Sequence, residues 1–280
     1  MYTEAIKRGG LAVVTGGASG VGRAAALRFL RDGLGIVLVD LPGGALDQAV
    51  ADLAALATSS QSVTAIPTDV SDPVAVGALA NQVFAIGEVA VLMNNAGISL
   101  PSGSWENVDN WHRLLAVNLF GVVNGVHAFL PRMIDADRPA SVINTGSKQG
   151  ITTPPGNPAY NVSKAGVKVA TEMLAHDLRE AGVPISAHLF VPGFTYTGMI
   201  RKFMPEKPAG AWTSEQAVDH LMQRVTAGDF YVLCPDNDVP RERDVKRVQW
   251  AMGDIVHNRP ALSRWHPDFA DAFAEFEKDV

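Results

Sequence analysis

Tyr160 and Lys164 lie four residues apart in Tyr160-Asn161-Val162-Ser163-Lys164. The residues after them, Ala165 to Leu178, favour a helix, and on a helix an i, i+4 pair projects from one face, one turn apart. That arrangement suits an acid/base pair. A free phenol has a pKa of about 10, too high to exchange protons near neutrality. A neighbouring ammonium favours the phenolate and brings that value down. Taken alone, such a pair is also common on surface helices. Ser147 adds to it, closing the run Val142-Ile143-Asn144-Thr145-Gly146-Ser147. A hydroxyl at the carboxyl end of a strand could hold a substrate oxygen beside Tyr160, although a lone serine there is simply a turn residue.

A second chemistry is written near the start. Thr15-Gly16-Gly17-Ala18-Ser19-Gly20-Val21-Gly22 follows the first apolar run and opens a helix (Arg23 onward). Glycines there permit a tight turn and a close backbone approach to a pyrophosphate, and the helix N-terminus offers free N–H groups and a positive dipole end. Without a ligand the same residues make a tight strand-to-helix turn. The next apolar run ends in Ile36-Val37-Leu38-Val39-Asp40, followed by Leu41. A carboxylate at that point can accept hydrogen bonds from ribose hydroxyls and would repel a 2′-phosphate. No Arg or Lys directly follows Asp40, and Ser19 occupies the loop where a basic residue would serve a 2′-phosphate. NAD is therefore expected rather than NADP. The alternative for Asp40 alone is a cap or turn residue.

Taken together and in order, these motifs resemble the classical short-chain dehydrogenase/reductase family. The matching elements are the Thr15–Gly22 loop, Asp69-Val70, Asn94-Asn95-Ala96-Gly97, Asn118 in Val117-Asn118-Leu119, Ser147, Tyr160 with Lys164, and Pro192-Gly193 followed by Thr197. They span about residues 11 to 200. The resemblance implies Tyr160 as general acid/base, Ser147 orienting the substrate oxygen, and Lys164 lowering the Tyr160 pKa and binding the nicotinamide ribose. It implies that Asn118 holds a water linking Lys164 to solvent. The implied cofactor contacts are Gly16, Ser19, Gly20, Val21 and Gly22 at the phosphates, Asp40 and Leu41 at the ribose, and Asp69 and Val70 at the adenine. Asn95, Ala96 and Gly97 would line the cofactor, with Asn94 supporting that strand end. Pro192, Gly193, Thr195 and Thr197 would lie on the carboxamide side. It implies a Rossmann-like doubly wound seven-stranded parallel sheet of order 3-2-1-4-5-6-7, with helices on both faces and a helical C-terminal extension. The expected activity is NAD(H)-dependent interconversion of a secondary alcohol and a ketone, in a homotetramer or homodimer. Two other readings stay open: an epimerase or dehydratase of the extended branch, and a non-catalytic NAD-sensing protein.

Lys148-Gln149 directly after Ser147 is unusual for the resemblance. If these side chains enter the pocket they could bind a polar or anionic substrate group; otherwise they face solvent or a neighbouring loop. The segment from Phe194 through Tyr196, Met199, Ile200, Phe203 and Met204 to Trp212 is markedly apolar. It is expected to form a substrate-binding lid over 194–227 for a substrate with an apolar or aromatic portion, with closure over the core or a subunit contact as the alternative.

The elements that must position these groups show as alternation. Apolar runs at Leu11–Thr15, Ile36–Asp40, Val63–Pro67, Val89–Asn94, Ser141–Asn144, Ile185–Val191 and Phe230–Leu233 are separated mostly by helix-like stretches. Continuous apolar runs suit strands covered on both faces, and their alternation with helices implies βαβ units. Thr213–Ala227 reads as a helix capped by Thr213 or Ser214. The Trp111 region begins a long helix reaching Ile134. The tail, 235–280, carries Trp250, Trp265 and the triplet Phe269, Phe273 and Phe276 at helical spacing. That stripe is expected to pack against the body or a sister subunit, with a lid as the alternative.

Composition narrows the classes. In 280 residues, 47% are hydrophobic and 19% charged, enough apolar surface for one large α/β domain. A formal net charge of -6 argues against nucleic acid and against anionic membrane surfaces. The polar start through Gly10 is neither a signal peptide nor a membrane span. The single cysteine, Cys234, precludes an intramolecular disulfide and reads as a buried small hydrophobe. The seven histidines show no metal-ligand spacing, so no metal is expected. A cytoplasmic protein is the default.

Overall fold

The computed structural model describes residues 1–278 except Lys202. The Met199 side chain, one of the expected pocket residues, also lies outside the described residues. Seven parallel strands form one sheet: β1 (Leu11–Thr15), β2 (Gly35–Val39), β3 (Val63–Ala65), β4 (Val89–Asn94), β5 (Ala140–Thr145), β6 (Ile185–Val191) and β7 (Tyr231–Leu233). Their order is β3-β2-β1-β4-β5-β6-β7, as expected. The order reverses between β1 and β4, which opens a crevice at the carboxyl ends of those strands.

The helices are α1 (Tyr2–Arg8), α2 (Gly20–Arg31), α3 (Gly44–Ala54), α4 (Pro73–Ile86), α5 (Val108–Leu115), α6 (Gly121–Asp135), α7 (Gln149–Thr152), α8 (Pro158–Glu180), α9 (Gly198–Arg201), α10 (Ser214–Thr226), α11 (Arg241–Val256) and α12 (Ala270–Glu277). Successive strand residues serve opposite faces. Ala12 and Val14 join the core under α1, α2, α3 and α10. Leu11 and Val13 join the core under α4, α6 and α8. This two-sided burial is why the strands read as unbroken apolar runs.

Local signals set several boundaries. Asp72 caps α4 by accepting the N–H groups of Val74 (2.8 Å) and Ala75 (3.2 Å), with Pro73 at the first helical position. Thr213 and Gln216 form a reciprocal capping box on α10. The long helix expected from the Trp111 region is interrupted: a π turn at Ala116–Phe120 separates α5 from α6. The whole stretch 108–135 is long and apolar enough by composition to cross a membrane. Here its inward residues, Leu114, Asn118, Val122, Phe129 and Met133, are buried in the fold.

The expected triplet in the tail is split. Phe273 and Phe276 lie on α12, whereas Phe269 ends a 3₁₀ turn at Pro267–Phe269 and meets His266. Phe273 and Phe276 both pack on Trp250 of α11, with ring centroids 5.2 and 5.3 Å away. The extension thus has a small aromatic core of its own.

Candidate active site

The floor of the crevice is a set of cross-braced strand ends. Thr15 Oγ1, at the end of β1, accepts the backbone N–H groups of Asn95 (2.8 Å) and Ala96 (3.1 Å). The Asn95 amide donates to the Thr15 carbonyl (3.0 Å) and accepts from the Thr145 hydroxyl (3.3 Å). Asn94 donates to Asn144 (2.9 Å), which donates to Thr171 on α8 (3.1 Å). β1, β4, β5 and α8 are therefore locked together by buried polar groups, although Asn94 Oδ1 is left without a partner.

On that floor α8 presents Tyr160 and Lys164. Pro158 opens the helix, and Asn157 caps it by accepting the Tyr160 N–H (3.3 Å). Asn157 also receives the Ser102 hydroxyl (2.7 Å) and donates to the Leu100 carbonyl (3.0 Å), tying the loop after β4 to the first turn of α8. Lys164 is 4% exposed and donates to the Thr145 carbonyl (2.8 Å). Burial lowers its pKa to about 8. Its ammonium lies 5.9 Å from the Tyr160 ring centroid. For Tyr160, burial raises the phenol pKa and a hydrogen bond with Ser147 lowers it. Ser147 thus offsets part of the effect of burial on Tyr160.

Asn118 is fully buried on the π turn. Its amide accepts the Ile98 N–H (2.8 Å) and donates to the Ile98 carbonyl (3.0 Å) and the Ser163 hydroxyl (3.3 Å). A methyl added to Gly97 would sit 3.4 Å from Asn118 Oδ1 and 3.7 Å from Lys164 Nζ, so the three residues share one corner. π turns inserted in α-helices recur at functional sites.

The phosphate loop closes the other side. Gly16 has φ 66, and a Cβ there would meet the Ala96 Cα at 2.9 Å; at Gly22 it would meet the Gly16 carbonyl at 2.2 Å. Only glycine permits the loop to lie this close to β4 and to its own helix. Ser19 takes the N-cap position of α2 in extended conformation, and its exposed side chain caps nothing, leaving the helix end open to an anion. Val21 packs in the core behind it. Asp40 accepts the N–H groups of Ala18 (3.0 Å) and Leu41 (2.8 Å), which aims its carboxylate at the loop. Arg23, the first cation after the glycine loop, is ion-paired to Asp52. The cradle fits a pyrophosphate, and the acidic rim fits an unphosphorylated ribose. Leu41 is exposed beside it. Asp69 is exposed and accepts from the Ser71 N–H (2.9 Å) and hydroxyl (2.7 Å), while Val70 is buried against Gly121.

The segment after β6, expected to face the substrate, forms the remaining side. Gly193 lies against the Cys234 and Pro235 carbonyls. Thr195 is buried and donates to the Gly193 carbonyl (3.2 Å), and Thr197 touches Gly20 of the phosphate loop. Phe194 and Tyr196 bracket Trp212 through two backbone hydrogen bonds of 2.8 Å. The Tyr196 hydroxyl donates to the Met204 carbonyl (3.1 Å) and to Pro205, so it binds the loop to itself. Phe203 is 78% exposed and Gln149 is exposed. Lys148 departs from the anion-binding expectation: its ammonium is paired with Asp244 (2.7 Å) and Asp236 (3.3 Å) of the C-terminal region. These two carboxylates, and the bracing roles of Thr15, Asn144 and Thr171, were not anticipated from the sequence. Thr15, heading the glycine loop, carried the only local signal.

The short chain dehydrogenase family model matches residues 10–208. The chain belongs to that family. It is an NAD-dependent oxidoreductase. A 1-deoxy-11-beta-hydroxypentalenate dehydrogenase of Streptomyces exfoliatus is 35% identical, covering 91% of this chain and 93% of that one. A sulfoacetaldehyde reductase of Chromohalobacter salexigens is 37% identical over 78% of this chain and 83% of its own. Among solved structures, a short chain dehydrogenase/reductase of Burkholderia phymatum in complex with NAD superposes with a TM-score of 0.80 at 30% identity, covering 90% of this chain and 95% of that one.

Proposed function

We propose that this dehydrogenase interconverts a secondary alcohol and a ketone, with Tyr160 as general acid/base, on a substrate bearing an apolar or aromatic portion. The observation that supports this best is the meeting of Ser147, Tyr160, Lys164 and Asn118 at the carboxyl ends of β4 and β5, with Ser147 near enough to Tyr160 to lower its pKa. The glycine loop, Asp40 and the Asn95–Gly97 strand end would hold NAD, which would supply the hydride acceptor or donor. The remaining work belongs to the chain. Ser147 orients the substrate oxygen. Tyr160 takes the hydroxyl proton in oxidation and returns it in reduction. Burial holds Tyr160 as a neutral phenol, so oxidation depends on Ser147 and on nearby positive charge to reach the phenolate. Oxidation is accordingly favoured by rising pH and reduction by falling pH.

The exposed Phe203 and Met204 on the segment after β6 support an apolar substrate portion, because such side chains bury themselves on whatever they close over. Val162, Val169 and Met173 on α8, with Phe120 beside them, form an exposed apolar face that supports subunit association, which sedimentation would measure.

The test is a cofactor-paired assay against secondary alcohols from small diols to bulky aryl carbinols, with Tyr160→Phe alongside. NADH should form with NAD on an apolar carbinol and fall by about 10³-fold in the variant. Preference for NADP would overturn the role of Asp40, and turnover confined to hydrophilic polyols would overturn the apolar pocket.

A further inference from the structure

Ser147 leaves β5 into α7, a single turn of four residues that has little stability of its own. Lys148 begins that turn: its carbonyl accepts the N–H groups of Ile151 and Thr152, both at 3.0 Å, while Ser147 Oγ accepts the Gln149 N–H at 3.2 Å. From the same residue the ammonium reaches between Asp244 on α11 (2.7 Å) and Asp236 in the turn after β7 (3.3 Å). The side chains of Asp244 and Asp236 are 5% and 6% exposed, that of Lys148 20%. Asp236 has further duties. Its Oδ1 accepts the N–H groups of Asp238 (3.2 Å) and Val239 (2.8 Å), and its Oδ2 accepts the N–H of Phe194, the first residue after Pro192-Gly193 (3.2 Å). One ammonium thus joins three separate segments: the turn carrying Ser147, the root of the segment after β6, and the C-terminal extension.

Two carboxylates buried against one ammonium are a poor source of stability, since desolvation offsets much of the attraction. What such a cluster does supply is fixed geometry, because each charge has few alternative positions. We propose that Lys148 is a positioning residue, which clamps the Ser147 turn to Asp236 and Asp244 and thereby makes the C-terminal extension a working part of the active site. The proposal rests on the reading of Ser147 as the hydroxyl that orients the substrate oxygen. It assigns Lys148 no contact with substrate.

The experiment compares Lys148→Met, Lys148→Arg, Asp244→Asn, the Lys148→Met/Asp244→Asn double variant and Ser147→Ala in the full-length protein, at a temperature where circular dichroism shows each folded. Expected for Lys148→Met is a kcat lowered about 10-fold or more, with the NAD KM within about twofold of wild type. The ionisation of Tyr160 seen in the kcat–pH profile should move to higher pH, because a displaced Ser147 no longer favours the phenolate. That phenol is faced by Ser147 from the end of β5 and by Lys164 on its own helix, and Lys164 is untouched in these variants. Lys148→Arg should stay close to wild type. The double variant should be no slower than Lys148→Met alone, the signature of residues acting as one unit. Asp244→Asn carries the test if Lys148→Met does not fold: it should lower kcat severalfold with the same direction of pH shift.

A fall in Tm with kcat and pH profile unchanged would overturn the proposal in favour of a structural tie. A raised KM confined to anionic substrates, unrelieved by Asp244→Asn, would overturn it in favour of direct substrate binding. An active Ser147→Ala would instead overturn the reading beneath it, whatever Lys148→Met does.

Discussion

The two walls of the crevice are built differently. The wall proposed for the cofactor, made of the ends of β1, β4 and β5 with α8, is held by buried hydrogen bonds that are neutral except for that of Lys164, and its residues Thr15, Asn94, Asn118, Asn144 and Lys164 are all under 9% exposed. The substrate wall, made of the segment after β6 and the tail, is held at its root by a charge cluster and exposes Phe203 and Met204 at its edge. The cofactor and the proton-transfer chemistry are constant demands, and rigid groups serve them best. A substrate must enter and leave, so the elements that cover it are drawn from the less stable parts of the fold.

The sharpest challenge to this contrast is Lys164→Met. It should abolish turnover, by about 10²-fold or more, because the group beside Tyr160 is lost. It should also stabilise the folded protein near neutrality. Burial depresses the Lys164 pKa to about 8 from 10.5, so the unfolded chain holds more protons between those values and stability rises with pH across that window. Below pH 8 the full cost of a buried charge is present, about 3 kcal/mol, from which the lost bond to Thr145 subtracts about 1. Thermal melts should therefore show a higher Tm for the variant at pH 7, with the gain vanishing toward pH 10.5. A lower Tm at pH 7 would mean that the cofactor wall is not strained by its own chemistry.

Thr15→Val probes the same wall without touching a reacting group. Two backbone N–H groups, those of Asn95 and Ala96, lose their acceptor at a partly buried site, and denaturant titration should show a loss of about 1–3 kcal/mol. Asp40→Ala lies at the rim. Its loss should raise the NAD KM about 10-fold and narrow the preference over NADP, with kcat little changed. The smallest effect is expected on the substrate wall. Phe203→Ala should leave stability within about 0.5 kcal/mol, as for exposed positions generally, and raise KM severalfold for apolar substrates only. If Phe203→Ala instead unfolded the protein, the two walls would not differ as described.

Much of the cofactor wall was legible because its chemistry is local. Tyr160 and Lys164 share one helical face through a spacing of four, and the Thr15–Gly22 loop states its own turn. The seven strands appeared as apolar runs because both faces are covered, and the order β3-β2-β1-β4-β5-β6-β7 followed from the family resemblance. The substrate wall was much less legible. Nothing near Lys148 announces Asp236 or Asp244, 88 and 96 positions away, and the sequence equally allowed it to face a substrate. The π turn at Asn118 was likewise hidden, since an apolar helix pattern does not record one extra residue in a turn. The sequence by itself determined which groups can exchange a proton and cradle a dinucleotide, because those depend on residue type and short spacing. Only the tertiary structure decided which charges face one another and that the tail braces the Ser147 turn, because pairing between distant segments is settled by how the helices pack on the sheet.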